Sequence, residues 1–136
     1  MATGTAGTQA RSYGTHQLHY ISRTVNYSDA GISTGIKVGT LPLGAEIAFA
    51  IVKVKTAFNA ATTNVLTVGQ NSSTYNDIVN ATDVDEAVTE GTISFRGMDL
   101  SFAADKDVYA VYTQSGTAAS AGQAKVIVAY MIADGV

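Results

Sequence analysis

Glu46-Ile47-Ala48-Phe49-Ala50-Ile51-Val52-Lys53-Val54-Lys55-Thr56 is the longest strand-like run in the chain, and its period is two rather than 3.6. Ile47, Phe49 and Ile51 share one face. The apolar phase then moves to Val52 and Val54, with Lys53 and Lys55 opposite. A slip of one residue inside a strand is what a β-bulge produces. The alternative is a first half buried on both faces, with the small Ala48 and Ala50 turned towards a second layer.

The same period runs outward from this segment. Upstream, residues 19–27 set Ile21, Val25 and Tyr27 against Ser22, Thr24 and Asn26. Residues 36–41 make a short strand closed by Leu41-Pro42-Leu43-Gly44, a turn signal that holds the single proline outside any central strand. Downstream, residues 64–69 alternate Leu66 and Val68 with Val65 and Thr67. Ile93 and Phe95 alternate with Ser94 and Arg96; Gly97 breaks the run; Met98, Leu100 and Phe102 then alternate with Asp99 and Ser101. Residues 108–114 are rich in Val and Tyr. Residues 124–132 are apolar on both faces, which marks a central strand or an interface. Between them, residues 70–90 are polar and anchored by Ile78, Val79, Val84 and Val88. Thr82 stands three before Asp85, the spacing of a cap on one helical turn. About eight strands separated by glycine-rich turns, with no long helix and no fixed-period repeat, predict an all-β sandwich or barrel.

At 136 residues the chain fits one domain. Only 14% of residues are charged, against about 25% in an average globular protein. Such a surface is either uncharged but polar, built from Thr, Ser and Asn, or covered by partners. The net charge of −3 and eight scattered Lys and Arg argue against nucleic acid, which needs a basic stripe. No run approaches the ~20 apolar residues of a membrane span. Met1-Ala2-Thr3-Gly4-Thr5 has neither the basic nor the apolar region of a signal peptide, so synthesis in a cytoplasm is the expectation. Residues up to about Tyr13 have linker composition, and such an end is ordered only where something ties it down. The expected organisation is an extended arm over 1–15 and a single sandwich over 16–136. The arm is the candidate partner-binding element, with Thr3, Thr5, Gln9, Arg11 and Tyr13 as its contacts; docking on the protein's own sheet is the alternative.

Residue types for catalysis are sparse. His16 and His19 are the two histidines, and positions three apart in a strand point to opposite faces. There is no cysteine, so no thiolate site and no disulfide. No Gly-x-Ser-x-Gly elbow, Walker A loop or dinucleotide fingerprint occurs. Asp83, Asp85, Glu86 and Glu90 cluster, as do Asp105 and Asp107, but without EF-hand spacing. The expectation is no enzyme, no metal and no cofactor. Three Asn-x-Ser/Thr matches, at Asn26, Asn71 and Asn80, are chance in so Ser/Thr/Asn-rich a chain. Tyr20, Tyr109, Tyr112 and Tyr130 fall within strands, which favours core or interface over a sugar-stacking platform.

Leu41-Pro42-Leu43-Gly44-Ala45, Ala57-Phe58-Asn59, Asn64-Val65-Leu66-Thr67-Val68-Gly69, Phe102-Ala103-Ala104-Asp105 and Tyr112-Thr113-Gln114-Ser115-Gly116-Thr117-Ala118 together resemble small virion proteins of tailed phages. The resemblance is to head decoration (cement) proteins, nearest to the jelly-roll cement protein of a short-tailed Bordetella phage, and spans about residues 36–133. It implies a jelly-roll sandwich on the outer face of a capsid, as a homodimer that bridges capsomers of the major capsid protein. A receptor- or carbohydrate-binding virion module is the alternative on the same fold.

Overall fold

The computed structural model describes residues 17–132, which form two antiparallel sheets and one short 3-10 turn. The strands are β1 (His19–Asn26), β2 (Ile36–Leu41), β3 (Ala45–Thr56), β4 (Thr63–Gly69), β5 (Gly91–Ser94), β6 (Lys106–Ser115) and β7 (Gln123–Ile132). One sheet has the order β1-β7-β3-β5 and the other β2-β6-β4. Adding one strand beside β4 would complete the two interlocked four-stranded sheets of a jelly roll. That place is held by a single antiparallel bridge, Val68 to Val79. The all-β sandwich expected from the period is therefore the fold. The arm and its five candidate contacts, Thr3, Thr5, Gln9, Arg11 and Tyr13, lie outside the described residues.

The core is the set of inward positions of both sheets. Val25, Val52, Val54, Ala124, Val126 and Val128 from the first meet Leu41, Leu66, Val68, Val108, Ala110 and Tyr112 from the second, all essentially inaccessible. Burial of each Val or Leu side chain contributes roughly 1.5–3 kcal/mol. Tyr112 brings a polar atom into this layer. Its ring lies 4.6 Å from that of Phe58, and its hydroxyl donates to Asn64 Oδ1 at 2.6 Å. Burial pushes the phenol up from its ordinary range, and the nearby Glu86 charge adds to it.

Residues 70–90 form no helix; the segment at 80–83 is a turn in which the Asn80 and Asp83 backbones bond and Asp83 Oδ2 accepts the Asn80 N–H. The segment closes one side of the sandwich. β4 is an edge strand, and its outward N–H groups would otherwise be open to another chain. Glu86 Oε1 accepts the Leu66 N–H at 2.7 Å, Val79 O accepts that of Val68, and Asp77 Oδ1 that of Gln70. Across the gap, Ser94 of β5 donates to Ile78 O. The opposite side is closed where β2 bulges between Lys37 and Gly39 and comes against β1. A Cβ at Gly39 would lie 2.8 Å from Ile21 Cβ, so only glycine allows that approach.

Two expectations are corrected. Residues 98–102 are not a strand: Arg96–Asp99 is a 3-10 turn, with Met98 N bonded to Phe95 O and Leu100 N to Gly97 O. Gly97 is buried against Ile47, whose side chain would lie 3.0 Å from a Cβ there and would have to give way to admit one. The slip in β3 falls earlier than the alternation implied. Ile47 pairs with Tyr130 and Phe49 with Ala129, so Ala48 is the extra residue. Ala45 and Ile47 face inward before it, and Ala50, Val52 and Val54 after it. Ala50 facing the core agrees with the alternative reading of this strand.

Candidate assembly surface

The bulge at Ala48 decides what the outer face of the β1-β7-β3-β5 sheet looks like. Beyond it, Phe49, Ile51 and Lys53 leave the core side and point outward. Paired residues share a side of a sheet, so the register builds this face in rows. Tyr20, Ala129 and Phe49 make one row; Ser22, Ile127, Ile51 and Ile93 make the next. Below them Thr24, Lys125, Lys53 and Gly91 form a third row, and at the other end Glu46 pairs with Met131. Tyr20 is 67% exposed and Ile93 57%. Because Ala129 is small, an open groove of about 280 Å³ runs over it between Tyr20 and Phe49, continuing to Ile51 and Ile127. A contiguous apolar face of this kind marks an interaction site in a soluble protein.

The outer face of the other sheet is different in kind. There Lys37 and Asp107 pair at 3.2 Å, and Thr40 donates to the same carboxylate at 2.7 Å. The Thr40 hydroxyl, with Lys37 beside it, holds the Asp107 carboxyl below the usual range. Thr67 pairs with Val111 and Val65 with Thr113, and here Thr67 is itself buried while Val65 and Val111 are half-buried. On the apolar face, by contrast, Lys53 and Lys125 stand directly opposite each other, and neither has an ion-pair partner among the described residues. Like charges so placed destabilise a sheet slightly, a feature that a counter-charge on a partner would relieve.

Asp83, Asp85, Glu86, Asp105 and Asp107 are occupied as structural acceptors. Asp83 takes a two-pronged bond from Arg96, Nε at 2.6 Å and Nη2 at 2.9 Å. Those bonds, with the Asn80 N–H, hold its carboxyl below the usual range. Asp105 accepts the Leu43 N–H, Asp85 that of Ala87, and Glu86 that of Leu66. Burial pushes the Glu86 carboxyl up. Among the described residues no three His, Asp or Glu converge as metal ligands, and no helix is long and apolar enough to cross a membrane.

Sequence reasoning pointed to residues 124–132 as central or interfacial, and β7 is central, lying between β1 and β3 with Val126 and Val128 facing the core and Ile127 and Ala129 facing out. It missed Phe49 and Ile51 as surface residues by grouping them with Ile47. The available signal was that two neighbouring strands are each apolar on both faces. The Lys53–Lys125 pair needs the register and has no local signature.

Compared with known proteins, the chain matches no family model and no curated sequence. It is similar in structure to a chain of the capsid asymmetric unit of cyanophage Pam1, with a TM-score of 0.57 and 18% identity over 95% of this chain and 96% of that one. It is similar to a chain of the capsid of Ralstonia phage GP4 with the same TM-score and identity, over 91% of this chain and 89% of that one. At that identity the likeness is one of fold, covering nearly the whole of each chain.

Proposed function

We propose that this protein is a non-enzymatic structural component of a phage virion, a decoration protein that binds the outside of the major capsid protein shell and bridges capsomers. The observation that carries the reading is the apolar outer face of the β1-β7-β3-β5 sheet, which no other described residue covers, on a domain whose fold recurs in two phage capsids. A low-charge sandwich with a surface of this kind is suited to being held by neighbours. Each site contributes a modest interface, and many copies on one shell add their contributions by avidity. Partners are the major capsid protein and a second copy of the chain as a homodimer, with no role for nucleic acid or membrane. Residues 1–15 act as the arm through which each copy holds the shell, with Thr3, Thr5, Gln9, Arg11 and Tyr13 as contacts. The test is cryo-electron microscopy of particles carrying the protein. Sandwich-shaped density outside the shell at capsomer boundaries is expected; density inside the shell, or only at the tail, contradicts the reading.

A further inference from the structure

β1 is an outermost strand of its sheet, paired on one side with β7. In an antiparallel ladder, residues alternate between exchanging both backbone bonds with the partner and turning N–H and C=O away from it. The phase is fixed at the end of β1, where Tyr27 N donates to Gly122 O at 3.1 Å, one step beyond the Asn26–Gln123 pair. Odd-numbered residues therefore bond to β7, and the backbone groups of Tyr20, Ser22, Thr24 and Asn26 point out of the sheet. Asn26 fits this phase: its N–H is taken by Asp29 Oδ2 at 2.9 Å and its carbonyl by the Asp29 N–H. Tyr20, Ser22 and Thr24 have no such backbone partner among the described residues.

The other edges are protected by devices common in natural sheets. β4 is capped by Glu86, Val79 and Asp77, β2 is broken by its bulge, and β5 ends after 4 residues. β1 runs for 8 residues in unbroken register, without proline. β2 supports it from the core side without pairing to it. Ile21 packs on Gly39, and Arg23 Nη1 donates to Lys37 O at 3.0 Å. The edge is thus held in place while Tyr20 and Thr24 stay exposed and Ser22 half-buried.

We infer that this edge takes an extended segment of the shell's major capsid protein as a fifth strand of the sheet. Backbone donors and acceptors recurring about 6.8 Å apart along a straight edge match the backbone of another strand. The source of that strand follows from position, and this step rests on the decoration reading. The edge borders, at Tyr20, the apolar face assigned to the shell, and residues 1–16 lead directly into β1, so both proposed shell contacts meet there. Backbone pairing along the edge leaves the side chains of the apolar face free for the shell surface, so the two contacts do not compete.

The experiment is hydrogen–deuterium exchange of the full-length chain, free and bound to purified shells of the major capsid protein, read residue by residue. The amides of Ile21 and Arg23 should be protected in both states. Those of Tyr20, Ser22 and Thr24 should exchange fast in the free chain and about tenfold or more slowly on the shell. Proline at an outward-pointing position removes a donor and obstructs an added strand while sparing the β7 ladder. Ser22→Pro and Thr24→Pro should therefore each weaken shell binding about tenfold or more, and Ser22→Ala should bind as wild type. Circular dichroism establishes that each variant is folded; the exchange pattern of the wild-type chain decides the matter should either proline variant fail to fold. Edge amides that exchange equally fast free and bound overturn the inference, as do folded proline variants that bind like wild type. So does an edge already protected without shells: protection lost on removing residues 1–16 gives the edge to the chain's own arm, and protection that rises with concentration gives it to a second copy. All of these leave the decoration reading standing, whereas a wild-type chain that does not bind shells removes that reading and this inference with it.

Discussion

Glu86 is the residue whose chemistry most exceeds its appearance in the sequence. There it is one of four clustered acids; in the fold it is 6% exposed and supplies the acceptor for an edge-strand N–H. Glu86→Ala leaves the Leu66 N–H without that acceptor and should cost about 1–3 kcal/mol in chemical denaturation. Burial raises the Glu86 carboxyl above its unfolded value, so the ionised form is disfavoured in the folded state. The associated stability is present below the ordinary glutamate range and is lost as pH rises through the raised value. Glu86→Gln keeps an oxygen acceptor without the charge. It should exceed wild type in melting temperature at neutral pH, and the difference should close as pH falls below about 4. Asp83 works in the other direction: its lowered carboxyl contributes above the ordinary aspartate range and loses that contribution as pH falls through the lowered value. Arg96, its partner, is nearly half exposed, so the effect is small. A Glu86→Gln advantage that is the same at pH 4 and pH 7 would contradict this account.

At the scale of elements, the placement of strands was legible because alternation reports burial directly, and it located β1, β2, β3, β4, β6 and β7. What it did not resolve was phase. Ile47, Phe49 and Ile51 alternate perfectly as letters, yet Ala48 is an unpaired residue and the last two lie on the other face. A bulge is defined by the partner strand, so one strand's sequence cannot place it. Residues 98–102 misled for a related reason: Met98, Leu100 and Phe102 alternate, but Gly97 packs on Ile47 and turns the chain into a 3-10 turn. Gly39 shows the same dependence on a distant element. Gly39→Val would drive a side chain into Ile21 and should cost about 1–3 kcal/mol. In the background of Ile21→Ala the same substitution should cost clearly less, since space has been made. Equal costs in the two backgrounds, measured by denaturant unfolding, would rule out that contact as the reason for the glycine.

At the scale of the whole molecule, the two outer faces divide the work: one carries satisfied charges and threonines, the other an apolar field with paired lysines at its end. Asp83, Asp85, Glu86, Asp105 and Asp107 are engaged with N–H groups, Arg96 or Lys37, so thermal unfolding with and without EDTA should coincide. A drop of several degrees would instead identify a calcium site among Asp83, Asp85, Glu86, Asp105 and Asp107. Removing residues 1–9 should leave the melting temperature of the isolated chain nearly unchanged while lowering its occupancy on particles; wild-type occupancy would remove the arm from assembly. With so few charges, shell attachment should rest on apolar burial, which salt does not screen. Occupancy should therefore hold from low to high sodium chloride, and release of most copies at moderate salt would contradict an apolar attachment.

The central claim is that the protein stabilises a shell by bridging its capsomers, and the most direct measurement is the melting temperature of matched particles with and without it. Decorated particles should melt several degrees higher, with the increment growing as occupancy rises towards saturation. Bare and fully decorated particles that melt at the same temperature would contradict the stabilising role.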